Sequence, residues 1–135
     1  MEVLAKPATV LTNAEVLAAL NQVQQTIRRN GKLALNFKLQ SSEWVANEVR
    51  KFLKSTDCSK QTPEHVTHFL DRLIAVVHKP FTRNELVQFV NLRPTSVVEV
   101  HTMVDDCDGR FTEEEIMQLL DIIATTLPQR PKKLK

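Results

Sequence analysis

The chain has 135 residues, 42% of them apolar and 25% charged, with a formal net charge of +2. That length fits one compact domain with an appended segment, and no run approaches the ~18 consecutive apolar residues of a membrane span. Two glycines among abundant Leu, Val, Glu and Gln favour helices over an all-β fold.

The opening residues carry no basic region, long apolar core and small-residue cleavage site, so no secretory signal is expected there. The first helix is announced by Leu11-Thr12-Asn13-Ala14-Glu15-Val16. Thr12 is placed to cap, Glu15 to return the favour to the Thr12 amide, and Leu11 with Val16 to clamp the chain as it enters the helix. Val16, Leu20, Val23 and Ile27 then recur on one face, and Asn30-Gly31 is a natural stop.

Residues 33–39 switch to period two, with Leu33, Leu35, Phe37 and Leu39 alternating with Ala34, Asn36 and Lys38. That is a strand signature, and the spacing predicts either an edge strand for another chain's sheet or an extended loop lying on the bundle. Trp44 or Val45 with Val49, Phe52 and Leu53 mark a second helix ending near Asp57. Thr62-Pro63 opens a third, with Val66, Phe69, Leu70, Leu73 and Val77 inward and Pro80 as its end. Phe81-Thr82-Arg83-Asn84-Glu85-Leu86 repeats the capping grammar for a short fourth, carrying Leu86, Phe89 and Val90 inward. Pro94-Thr95-Ser96 opens a fifth with Val97, Val100, His101 and Val104 on one side. Phe111-Thr112-Glu113-Glu114-Glu115-Ile116 caps a sixth, with Ile116, Leu119, Leu120, Ile123 and Leu127 inward and Pro128 at its end.

Charge is unevenly placed. Residues 1–58 hold eight Lys/Arg against five Asp/Glu, residues 59–128 six against eleven, and residues 129–135 four Lys/Arg. An acidic body with a basic tail is a poor platform for duplex DNA. One tryptophan, six phenylalanines and no tyrosine show no aromatic platform for single-stranded RNA. Cys58 and Cys107 lie far apart and read as free thiols.

Residues 104–115 imitate a calcium loop: with Gly109 at its sixth position, Asp106, Asp108 and Glu115 fill the third, fifth and twelfth. Val104 at the first position has no oxygen to give. The stretch is better read as a helix ending near Asp108, a left-handed Gly109, and a new helix capped by Thr112. His65 and His68 share a helical face without a third ligand. Glu113, Glu114 and Glu115 suit a first helical turn, where the macrodipole favours negative charge. No phosphate loop or nucleophile elbow occurs. The residues thus describe an all-α bundle without a catalytic site, a metal or a cofactor.

From residue 81 onward, Leu86, Asn91, Arg93-Pro94, Val104-Asp105-Asp106-Cys107, Arg110-Phe111-Thr112 and Glu113 through Ile123 follow in an order and spacing joined to Leu11-Thr12-Asn13-Ala14-Glu15-Val16-Leu17 at the start. This resembles the small stalk subunits of RNA polymerase III, a family known in animals as the calcitonin-gene-related-peptide receptor component protein. The match is weak over residues 28–58. The resemblance implies an HRDC-like helical domain over residues 59–128, an N-terminal helical segment (1–58) packing on the tip of the larger, barrel-containing stalk subunit, and a basic disordered tail (129–135). It also implies a nuclear, non-catalytic subunit without cofactor that supports initiation through the polymerase core and the initiation factor carrying TATA-binding protein. Under it, Leu4, Leu11, Val16, Leu17 and Leu20 are expected to face the partner, with Leu35 and Phe37 next. Asp105, Asp106 and Asp108 are expected to face the factor, on an acidic surface that repels emerging RNA. The paralogous stalk subunit of RNA polymerase II or of an archaeal enzyme, a calcium-sensing helical protein and a helicase-type HRDC module are the competing readings.

Overall fold

The computed structural model describes residues 9–29 and 37–129, and every regular element among them is helical. In chain order these are α1 (Asn13–Arg29), α2 (Phe37–Lys54), a 3-10 turn (Asp57–Lys60), α3 (Pro63–Val76), α4 (Arg83–Leu92), α5 (Val97–Met103), α6 (Cys107–Arg110) and α7 (Glu113–Thr126).

The starts follow the capping chemistry read from the sequence. In each of the three boxes a Thr hydroxyl accepts from the backbone N–H three residues on, and the Glu carboxylate there accepts from the Thr amide: Thr12 with Glu15, Thr82 with Glu85, Thr112 with Glu115. Two further boxes join them. Ser96 and Glu99 cap α5, a Ser-x-x-Glu spacing plain in the sequence, and at α3 the His65 ring replaces Glu as the partner of Thr62.

Buried side chains gather in two clusters of unequal size. The larger joins α3 to α7 around Phe69, Leu73, Phe89, Val100, Leu119 and Ile123, with Val66, Leu70, Leu86 and Leu120 packed at its edge. The smaller holds only Leu17, Leu53 and Cys58, with Ala14, Val16 and Leu20 against it. Helix α1 packs chiefly on α2, and the 3-10 turn bridges toward α4. Polar bonds help tie the two parts: the Asn13 N–H donates to Asn91 Oδ1 at 2.8 Å, and the Gln61 amide donates to the Val90 carbonyl at 2.6 Å.

Arg93 ends α4 in the left-handed conformation (φ 45°), and its guanidinium donates to the Leu127 and Ala124 carbonyls at the end of α7. One side chain thereby satisfies carbonyls that the end of α7 leaves without partners.

Three expectations are corrected. Phe37–Leu39 belong to α2, so the period-two run is not extended there, and residues 33–36 lie outside the described residues. A helical start at Phe37 costs little, because Phe37-Lys38-Leu39-Gln40 contains no helix breaker. Helix α5 stops at Met103 rather than near Asp108, and it is Asp106 (φ 48°), not Gly109, that turns left-handed. Gly109 is required for space instead: a Cβ there would sit 2.5 Å from Asp106 Oδ2.

The C-terminal helices are fastened by a part-buried ion pair, with Glu85 enclosed and Arg110 partly open. The Arg110 guanidinium donates to Glu85 Oε1 at 2.6 Å and Oε2 at 3.2 Å, and to the Asp105 and Pro80 carbonyls at 3.1 and 3.0 Å. Phe81 stacks on Phe111 beside it, centroids 4.7 Å apart, and meets Phe89 edge-on at 5.5 Å. The Arg110 guanidinium, outweighing the cost of burial, holds the Glu85 carboxyl below its usual range. A folded value below the unfolded one makes this contribution full above about pH 4.3 and lost as pH falls through the folded value. Glu85→Ala, which also removes a cap, is expected to cost about 2 kcal/mol at pH 7. Urea denaturation at pH 7 and pH 3.5 checks this, and the gap to the parent chain narrows at the lower pH.

Candidate interaction surfaces

The acidic loop is the first surface. Asp105, Asp106 and Asp108 are all exposed between α5 and α7. Their backbone is held from beneath, because Arg110 binds the Asp105 carbonyl and Val104 and Cys107 are buried at 4% exposure each. The Asp108 carboxylate lies 3.7 Å from the His101 ring. Asp106 points its carboxylate over Gly109. The calcium arrangement does not assemble: Val104 faces the core, and the Glu115 carboxylate is taken by the Thr112 amide and by Lys79 at 2.7 Å. Among the described residues no three His, Cys, Asp or Glu side chains cluster as metal ligands would. His65 is spent on the α3 cap and His68 is exposed. Burial, with the Asp108 carboxylate beside it, pushes the Cys107 thiol up.

The second surface is the α1–α2 pair. Of the expected partner-facing residues, Leu17 is enclosed in the chain's own small core, and Val16 and Leu20 pack against it. Leu11 stays 48% exposed. Leu4, Leu35 and the Phe37 side chain lie outside the described residues. The contrast between capping boxes is informative. Phe111 is buried and Phe81 packs against the core before their helices, whereas Leu11, in the same register before α1, stays half exposed. On α2 only Leu53 of the expected apolar set is buried. Val45, Val49 and Phe52, at i, i+4 and i+7, form an exposed stripe in which Phe52 is 65% exposed. An apolar groove of about 230 Å³ also opens between the helices, lined by Leu20, Val23, Ile27 and Ala46.

Sequence reasoning missed this α2 stripe as a surface because periodicity shows that apolar residues share a face, not whether the chain itself covers them.

The family of RNA polymerase Rpb4 matches residues 10–127, which spans both surfaces and every helix between them. The chain belongs to the RNA polymerase Rpb4 family. It is 31% identical to the DNA-directed RNA polymerase III subunit rpc9 of Schizosaccharomyces pombe over 134 residues, covering 95% of this chain and all of the relative. It is 31% identical to the protein of the same name in Dictyostelium discoideum over 112 residues, covering 81% of this chain and 78% of that one. A third relative, DNA-directed RNA polymerase III subunit RPC9 of Saccharomyces cerevisiae, is 31% identical over 91 residues, covering 66% of this chain and 55% of the relative.

The left-handed turn at Asp106 positions the acidic loop and tests its backbone. Asp106→Ala is expected to lower stability by about 1 kcal/mol, and Asp106→Gly to leave it unchanged or raised, in thermal or urea unfolding.

Proposed function

We propose that this chain is the small, non-catalytic stalk subunit of a nuclear RNA polymerase III, carried by a larger stalk subunit. Membership of the Rpb4 family and the polymerase III names of the three relatives support the assignment over the paralogous RNA polymerase II and archaeal readings. The observation that carries the mode of action is the unfinished packing of α1 and α2. Among the described residues their shared core holds three buried side chains, while Leu11, Val45, Val49 and Phe52 are exposed. A larger neighbour that covered this face would bury the apolar area the chain leaves open.

In this reading residues 1–58 are the segment held by the partner, and residues 59–128 are an HRDC-like domain that projects from it. Leu11 and the α2 stripe take the partner-facing role, with Leu4, Leu35 and Phe37 as further contacts. Leu17, Val16 and Leu20 act indirectly, by fixing α1 against α2. The acidic loop at Asp105, Asp106 and Asp108 faces the initiation factor that carries TATA-binding protein. Polymerisation chemistry belongs to the large subunits.

Deleting residues 1–40 is expected to abolish co-purification with the larger stalk subunit after co-expression; a deletion that still co-purifies contradicts the assignment. Reversing Asp105, Asp106 and Asp108 to Lys is expected to weaken recruitment of the factor severalfold in a promoter-dependent assay while circular dichroism stays unchanged.

A further inference from the structure

Five Ser or Thr residues of this chain have Asp or Glu three positions on: Thr12, Thr82, Ser96, Thr102 and Thr112. The structure separates one of them from the other four. Thr12, Thr82, Ser96 and Thr112 begin helices, where each hydroxyl accepts a backbone N–H and each Glu carboxylate accepts from the Thr or Ser amide. Both halves of the motif are consumed in capping. Thr102 lies at the opposite kind of helix end. It is exposed in the last turn of α5, and its hydroxyl donates to the Glu99 carbonyl at 2.6 Å, a local bond that starts no helix. Its acidic neighbours also face outward. Asp105, Asp106 and Asp108, at the third, fourth and sixth positions after Thr102, are all exposed, and Arg110 takes the Asp105 carbonyl rather than its carboxylate.

We infer that Thr102 is a phosphorylation site for a protein kinase whose basic substrate cleft reads carboxylates on the C-terminal side of its acceptor. Such a cleft selects by charge: it repels basic segments and gains with each exposed carboxylate it meets. As bare sequence Thr112 is the stronger match, with three glutamates directly after it. Its hydroxyl and Glu115 are bound in the α7 cap, however, and Lys79 holds the same carboxylate at 2.7 Å. A kinase must also draw its substrate out into extended form. After Thr102 the chain has already left the helix, because α5 ends at Met103 and Val104 is extended. Only the last turn of a seven-residue helix has to open, with Val104 as the fully buried side chain to release. Opening at Thr112 would disrupt the first turn of the fourteen-residue α7 and release both Phe111 and Ile116.

The transfer joins the γ-phosphorus of ATP to Thr102 Oγ, breaks its bond to the bridging oxygen of the departing ADP, and passes the hydroxyl proton to the kinase. The phosphate adds a charge of about −1.5 to −2 to a loop that already carries three carboxylates. Glu99 and the last carbonyls of α5 repel it, so the product keeps this turn open and the phosphate in solvent. The site stands on the geometry of the loop itself. Its use, to raise the pull of the acidic loop on a basic partner, rests on the reading of that loop as the factor-facing surface.

The test uses the full chain in its heterodimer with the larger stalk subunit, ATP and an acid-directed Ser/Thr kinase, with the modified residue located by fragmentation mass spectrometry. Phosphate is expected on Thr102, to be lost in Thr102→Val and kept in Thr102→Ser. Asp105→Asn with Asp106→Asn is expected to slow incorporation about tenfold. The fold tolerates that pair, because Asn also adopts the left-handed turn that Asp106 makes. A chain left unmodified at Thr102 would overturn the inference, whether or not Thr112 takes phosphate. So would a rate at Thr102 indifferent to the two Asn substitutions. The factor-facing reading is checked apart from this, since the loop reversed to Lys tests recruitment with no kinase present.

Discussion

Arg110 reaches from the short α6 turn to Glu85 at the third position of α4, and several segments are fastened where the two meet. Glu85 already caps α4 through the Thr82 amide, so one carboxylate serves a helix start and an ion pair. Arg110 spends its remaining donors on the Pro80 and Asp105 carbonyls, groups in loops with no helical partner. Lys79 completes the knot by binding the Arg110 carbonyl and the Glu115 carboxylate. Taking the Glu85 charge out of water is costly, and this geometry offsets the cost because nearly every donor and acceptor is used. The acidic loop depends on it directly: with its backbone pinned inward, Asp105, Asp106 and Asp108 turn outward.

The same economy is missing at the other end. Among the described residues, α1 and α2 meet over a small buried cluster of Leu17, Leu53 and Cys58, with Ala14, Val16 and Leu20 against it. The cap of α1 is as well formed as those of α4 and α7, so local chemistry starts the helix. What is lacking is the cover that turns a capped helix into a packed one. Helix α2 has three sides. Leu53 and Arg50 turn toward the core, the Val45–Val49–Phe52 side is apolar and open, and the Lys51–Lys54 side is basic and open.

Much of this was legible before the fold. Thr12, Thr62, Thr82 and Thr112 marked helix starts because a hydroxyl or carboxylate at fixed spacing has few other uses, and Pro128 marked a stop. The core of α3 and α7 was legible from Phe69, Leu73, Ile116 and Ile123 for the same reason that helices are: one face repeats. The left-handed turn was assigned to Gly109 on propensity, whereas Asp106 takes it and Gly109 makes room for its carboxylate, a tertiary detail that residue type alone does not carry. Period two misled at Phe37–Leu39, where so short an alternation does not outweigh a helix running on downstream. The Arg110–Glu85 pair was invisible, since its members are 25 residues apart.

In the proposed reading, a neighbour finishes the smaller α1–α2 core, whereas the larger α3–α7 core needs none. Native-state amide hydrogen exchange on the full chain, alone and bound to the larger stalk subunit, tests it most directly. The account predicts that α3, α4 and α7 are protected in both states, while α1 and α2 exchange readily alone and become protected on binding. Equal protection of α1 and α2 in the isolated chain would contradict it.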